Sequence, residues 1–170
     1  MKLNKRRELL ADVLERLDLS LNEAKTHVVD ATETGFNFLG FTIKMSQGVK
    51  TGKPYPNVRP SDKSQKKIKA RLTELTRREL TVLPLSDIVE NVNRSLRGWV
   101  NYFHYRNSSM AMGKVRNHAE DRLRTHLRKR HKVKDRRSGW VRFPAADLYG
   151  RYGLYQAPKV AGWRSVHASA

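Results

Sequence analysis

The sequence predicts an α+β protein: a short helix with two strands, then a basic three-helix bundle, then an irregular C-terminal tail. Three observations predict this. Apolar residues recur at spacings of three and four in four separate stretches, as they do in amphipathic helices. Between the first and second of these lie two runs of β-branched and aromatic residues bounded by turn formers, which read as strands. A cluster of breakers, Gly48, Gly52, Pro54, Pro56 and Pro60, then separates the strands from the later helices. The resulting division is 1–45 for the first domain, 46–60 for a linker, 61–135 for the bundle and 136–170 for the tail.

The first helix runs from Leu3 to Leu17, with Leu10, Val13, Leu14 and Leu17 on one face and charges opposite, and ends near Asp18. Leu19 to Lys25 reads as a turn. Strands follow at Thr26–Asp30 and Gly35–Lys44. In the second strand Phe36 and Phe38 face one side while Leu39, Phe41 and Ile43 face the other, so both faces need cover. A two-stranded unit is marginal alone, which predicts that it packs on further structure. Gly40, between two large residues, marks close packing or a bulge.

After the linker, Ser61 or Asp62 caps a helix whose core stripe is Ile68, Leu72 and Leu75. Lys63, Lys66, Lys67, Lys69, Arg71, Arg77 and Arg78 crowd its other faces. Pro84 and Ser86 announce a second helix, in which Leu85, Ile88, Val89, Val92, Leu96, Trp99, Val100 and Phe103 keep the helical rhythm. A third, from about Ser109 to Arg130, turns Met112, Val115, Ala119, Leu123 and Leu127 inward, and Lys114, Arg116, Arg122, Arg124, Arg128, Lys129 and Arg130 outward. Short connections between three such helices make a bundle. Lys132 to Arg137 forms a basic loop. From Trp140 to Ala170 aromatics mix with Gly and Pro, and no regular element is predicted.

Charge restricts the partner. The chain carries 35 Lys and Arg against 16 Asp and Glu, a net charge of +19, and self-repulsion of that size is relieved most naturally by a polyanion. Residues 1–60 hold 10 basic and 7 acidic side chains, net +3, whereas 61–170 hold 25 and 9, net +16. Nucleic acid is the expected partner, bound by the part after residue 60. No apolar run approaches the roughly 20 residues of a spanning helix, and the basic stretch Met1 to Arg7 is not followed by the apolar core of a signal peptide. No membrane partner is expected, and the predicted location is the cytoplasm or nucleoid. The chain has no cysteine, which excludes disulfides, Cys-type zinc sites and thiol nucleophiles. His126 and His131, five apart, are wrongly spaced for a shared metal on one helix face and read as solvated or RNA-facing.

Four segments, in order, carry a family resemblance: Leu19-Ser-Leu-Asn-Glu-Ala-Lys-Thr26, Gly35-Phe-Asn-Phe-Leu-Gly-Phe41, Asn93-Arg-Ser-Leu-Arg-Gly-Trp-Val-Asn-Tyr-Phe103 and Tyr149-Gly-Arg-Tyr-Gly-Leu-Tyr155. Together they resemble the C-terminal part of group II intron reverse transcriptases, also called intron maturases. The first segment departs from the family by having Glu-Ala where Pro-Glu is usual. The resemblance implies that residues 1 to about 45 are the last pieces of a polymerase palm, and that 61 to about 135 form the three-helix thumb or maturase domain.

What the residues lack bounds the chemistry. The family's nucleotide transfer uses carboxylates that hold two divalent cations, taken from a Tyr-x-Asp-Asp hairpin and an earlier aspartate, and this sequence has no Asp-Asp pair. Polymerisation therefore requires a catalytic palm on another polypeptide, with any divalent metal residing there and no cofactor in this chain. The family's endonuclease carries paired cysteines, which are also absent. Lys25 corresponds to a lysine proposed in the family to protonate leaving pyrophosphate. Without a metal site it reads as structural or RNA-facing.

The resemblance implies a binding surface for structured RNA, in particular a group II intron, whose splicing it would support. A thumb grips an A-form duplex through phosphates and 2′-hydroxyls. The candidate phosphate contacts are Lys63, Lys66, Lys67, Lys69 and Arg71 on the first bundle helix. Arg94, Arg97, Asn101 and Tyr102 flank the stripe of the second, while Trp99 and Phe103 read as core. Gly98 costs about 1 kcal/mol relative to Ala inside a helix, which predicts a close neighbour there, either another helix or an RNA backbone. Arg116 and the dense run Arg122, Arg124, Arg128, Lys129, Arg130, Lys132, Lys134, Arg136 and Arg137 complete the set. Two other functions fit the same residues: a subunit of a split reverse transcriptase, and a generic basic DNA-binding helical domain.

Overall fold

The computed structural model describes residues 2–20, 22 and 29–162, and for 2–7 only the backbone. The chain divides after Asp30 into two compact units. In the first, α1 spans Lys2–Glu15 and ends where Asp18 takes a left-handed backbone, φ 54°. Its predicted stripe is exposed at Leu10, Val13 and Leu17. The predicted strand at Thr26–Asp30 lies largely outside the described residues, and Val29 and Asp30 have no strand structure.

The second unit opens with a three-stranded antiparallel sheet, β1 (Phe36–Phe38), β2 (Phe41–Gln47) and β3 (Pro54–Pro60), in that order. Two expectations are corrected here. The single strand predicted from Gly35 to Lys44 is a hairpin, with Phe38 paired to Phe41. Its two-residue turn places Leu39 and Gly40 at φ 46° and 83°, the double left-handed geometry that matches strand twist. Leucine is not a turn former, so the apolar run hid the break.

The second correction concerns 46–60, expected to be a linker without regular structure. Its second half is β3, paired with β2 from Phe41↔Pro60 to Gln47↔Pro54. Proline is tolerated because of where it falls. Pro54, Pro56 and Pro60 share the strand parity of Val58, whose N–H and C=O turn away from β2 and bond Asn107 instead, at 3.4 Å and 3.0 Å. On an edge strand these prolines remove no ladder bond.

The bundle follows as predicted. Helix α2 spans Asp62–Leu75, capped by Ser61, whose Oγ accepts from the Ser64 N–H. A 3-10 turn at Arg78–Val82 leads to α3 (Leu85–Phe103), and α4 covers Ser109–Arg130. Ile68 and Leu72 from α2, Val92, Leu96 and Val100 from α3, and Met112, Val115, Leu123 and Leu127 from α4 form one buried cluster.

The region expected to be an irregular tail contains α5 (Arg136–Arg142) and α6 (Ala145–Gly150). Phe143, Leu148, Leu154 and Ala157 are buried in the same cluster. These elements are too short to show helical periodicity, so their apolar anchors look scattered in sequence.

The sheet is fastened to the bundle at one corner. The Gly40 carbonyl accepts from the Ser61 N–H and the Ser64 hydroxyl, each at 2.8 Å. Phe41 packs on Phe103, with ring centroids 5.1 Å apart. A side chain at Gly40 would meet Ser64 Oγ at 3.0 Å and the Phe103 ring at 3.1 Å, so glycine serves both the turn and the close packing.

Candidate nucleic-acid interface

The predicted cations separate into two populations. The first is free. Lys63, Lys66 and Lys67 on α2 are exposed and have no acidic partner within 4.0 Å among the described residues, and the same holds for Lys129, Lys132, Lys134 and Arg137. Lys69 is half-buried, its carbonyl 3.0 Å from His118 Nε2. Arg71 and Arg94 are exposed and pair with Glu74 and Glu90 of their own helices, at 2.8 Å and 2.7 Å. Such exposed pairs contribute about 0–1 kcal/mol and yield readily to a phosphate. Arg136, also exposed, lies 3.7 Å from Asp121. Arg97 is exposed over the Tyr155 ring at 5.2 Å. Asn101 is exposed, and Tyr102 donates its hydroxyl to the Leu39 carbonyl at 3.1 Å.

The second population, on α4, is turned into the protein. Arg124 is the clearest correction to the outward face expected there. It is 3% exposed, stacks on Trp140 and reaches Asp121 and the Phe143 carbonyl. Arg122, half-buried, donates to Thr76 Oγ1 at 3.1 Å and to the Thr76 carbonyl at 3.3 Å. Arg130 donates to the Thr81 and Leu83 carbonyls at 2.9 Å and 2.6 Å. Arg116 and Arg128 reach the Ala157 and Lys134 carbonyls. Helix α4 is flanked by α2, the 3-10 turn, α5 and α6, so its polar side faces carbonyls that need donors. Cations at the end of α2 also complement its dipole.

His126 is corrected in the same way. Expected to be solvated or RNA-facing, it is 1% exposed, with Nδ1 3.4 Å from the Thr76 carbonyl. Burial lowers its pKa below the ordinary 6.5, with Arg130 and Arg122 adding to the effect. His131 is exposed beside Phe143. Trp99 and Phe103 meet the expectation of core: Trp99 is buried and Phe103 packs half-buried against the cluster. Lys25 lies outside the described residues.

Sequence reasoning missed the polar residues that hold this surface in place. Thr76 gathers Arg122 and His126 at the end of α2, while Asn93 ties α3 to the segment after α6. A polar residue at a buried helix boundary is a faint signal, visible only once the partner element is known.

Between α2 and α3 runs an open groove of ≈ 500 Å³, lined by Lys67, Ile68, Arg71, Arg94, Gly98, Trp99 and Phe103 among others. Apart from its chain neighbours and its own helix backbone, no atom of the described residues lies within 4 Å of where a side chain at Gly98 would begin. The close neighbour expected there is therefore not a second helix.

The polymerase metal pair finds no fit. Among the described residues no group of three or more His, Asp or Glu could hold a metal ion. No helix among them is long and apolar enough to cross a membrane.

No curated protein matches the chain. Residues 65–143 match the family described as group II intron, maturase-specific domain. That segment runs from the first buried turn of α2 to Phe143 just after α5, and contains both the free lysines at 129–134 and the α2–α3 groove. Over residues 65–143 the chain is thus similar to the group II intron maturase-specific domain family.

Proposed function

We propose that the chain binds structured group II intron RNA and stabilises its splicing-competent fold, acting by binding alone and without a metal or cofactor of its own. The observation that carries this reading is a coincidence of place. The exposed cations with no acidic partner within 4.0 Å among the described residues, Lys63, Lys66 and Lys67 on α2 and Lys129, Lys132, Lys134 and Arg137 farther on, lie in or beside the segment matched to the maturase-specific domain. A protein stabilises whichever RNA fold it binds in preference to the alternatives. Lysines that contact phosphates supply affinity and position. Sequence preference then comes from the RNA's shape.

The test is the affinity of the chain for a group II intron RNA, an unstructured RNA and a duplex DNA of equal length, at low and moderate salt. A preference for the intron that persists as salt rises supports the reading. Equal affinities that vanish together would reduce the surface to generic basic binding.

A second reading is favoured by one observation. Phe38 and Leu39 are 59% and 65% exposed, and with Phe41, Ile43, Tyr102 and Tyr105 they line an apolar groove at the hairpin. Contiguous apolar surface of this kind marks a protein contact, which suits a chain completed by a separate catalytic palm. Copurification of such a polypeptide, lost on Phe38→Asp, would support that arrangement.

A further inference from the structure

The groove between α2 and α3 has an unusual make-up for a surface that only grips backbone. Its floor is apolar: Ile68 and Trp99 are buried, and Trp99 and Phe103 pack with ring centroids 5.0 Å apart. Its rim is cationic, with Lys67 and Arg71 on α2 and Arg94 on α3. A duplex backbone laid across it would neutralise the rim and leave the floor wet. Single-stranded recognition pairs the two features, an apolar or aromatic bed for a base and cations for its phosphate.

Gly98 supplies the independent indication. It lies in the interior of a 19-residue helix, where glycine is disfavoured. Among the described residues, no contact from outside its own helix within 4 Å and no left-handed φ accounts for it. What its missing side chain preserves is the depth of the groove. At the far end, Ser64 and Phe103 abut the Gly40 turn, so the groove has an end as well as walls. Its ≈ 500 Å³ falls within the roughly 300–1,000 Å³ of sites that enclose a small molecule.

We propose that this groove receives one unpaired nucleotide of the bound RNA, its base lying over Gly98 on the Trp99–Phe103 floor and its phosphate held by Lys67, Arg71 and Arg94. The inference rests on the RNA-binding reading and sharpens it: the chain reads a bulged or extruded base in addition to duplex shape. Arg71 and Arg94 are held by exposed ion pairs within their own helices, so each guanidinium turns to a phosphate at little cost.

Three RNA hairpins test it with the full chain: one fully paired, one with a single bulged purine, and one with an abasic residue at the bulge. The bulged hairpin is expected to bind about tenfold more tightly than the abasic one, and Gly98→Leu, which places an apolar side chain at the groove's lining, to bring that ratio to about one. As a readout that needs no variant, 2-aminopurine at the bulge should change its fluorescence on binding. Equal affinity for bulged and abasic hairpins, a ratio that survives in Gly98→Leu, or unchanged 2-aminopurine fluorescence overturns the proposal and leaves the groove to a protein partner. Failure to bind any hairpin would overturn the RNA-binding reading itself, a result distinct from equal binding to all three.

Discussion

The guanidinium of Arg124 lies 3.9 Å from the centroid of the Trp140 ring, joining the middle of α4 to α5 in a site closed to solvent on the arginine side. The same group reaches Asp121 at 3.2 Å and Glu120 at 4.0 Å, and its Nε donates to the Phe143 carbonyl at 3.0 Å. One side chain therefore anchors the segment that follows the basic loop.

Arg124→Ala is expected to destabilise the chain by about 1–3 kcal/mol, because it leaves the Phe143 carbonyl without its donor and Glu120 without its cation, while Asp121 keeps Arg136. Trp140→Ala, which removes the cation–π contact and some packing but keeps the charges paired, should cost about 1–2 kcal/mol. Urea unfolding followed by circular dichroism measures both. A loss below about 1 kcal/mol for Arg124→Ala would show that the buried charge is dispensable.

Asn93 holds the chain after α6 with both ends of its amide. Its Nδ2 donates to the Gly153 carbonyl at 2.8 Å and its Oδ1 accepts from the Tyr155 N–H at 2.7 Å. Asn93→Ala should cost about 1–3 kcal/mol and release the segment from Gly153 to Ala157 before the rest of the unit opens. Hydrogen exchange at the Tyr155 amide reports this directly. Protection equal to that of the parent chain would mean Leu154 and Ala157 hold the segment by packing alone.

How far these relations were legible in the sequence depends on their range. The three bundle helices follow from local periodicity, since Ile68, Leu72, Val92, Leu96, Leu123 and Leu127 repeat within one element and are buried as expected. The hairpin at Leu39 and Gly40 was hidden because it is set by backbone dihedrals within a continuous apolar run. Strand β3 was hidden because its prolines are acceptable only once the side facing β2 is known. For the candidate interface, the type of residue was readable and its direction was not. Arg124 and Arg128 look alike in sequence beside Lys129 and Lys132, yet the first two are spent on Phe143 and Lys134 carbonyls, and only neighbouring elements distinguish them. The same holds for His126.

His118 and His126 give the fold an acid limit. Burial is the main cause that lowers each pKa below 6.5. Around His118 stand Lys69, Arg122 and Asp121, and around His126 stand Arg122 and Arg130. The native state thus binds fewer protons than the unfolded chain in mild acid, so the contribution to stability is complete above pH 6.5 and is lost as pH falls through and below it. Urea midpoints should be level between pH 8 and 7 and fall toward pH 5.5, before most carboxylates titrate. His126→Gln should flatten that fall. A midpoint that rises with acidity would contradict the assignment.

Two glycines should respond to alanine with opposite signs. At Gly40, φ is 83° and a new Cβ would stand 3.0 Å from Ser64 Oγ and 3.1 Å from the Phe103 ring. Alanine there incurs the left-handed penalty of roughly 1–2 kcal/mol and must displace either the serine that bonds the Gly40 carbonyl or the ring that packs on Phe41. Gly40→Ala should therefore lose at least about 1–2 kcal/mol and loosen the sheet from the bundle. At Gly98 nothing is displaced, and helix propensity alone should raise stability by about 0.8–1 kcal/mol. The pair separates a glycine kept for the fold from one kept for a ligand. Thermal unfolding of both variants decides the matter: destabilisation at Gly98 equal to that at Gly40 would place its role within the fold, whereas a more stable Gly98→Ala that binds bulged RNA less tightly would leave stability and binding opposed at a single position.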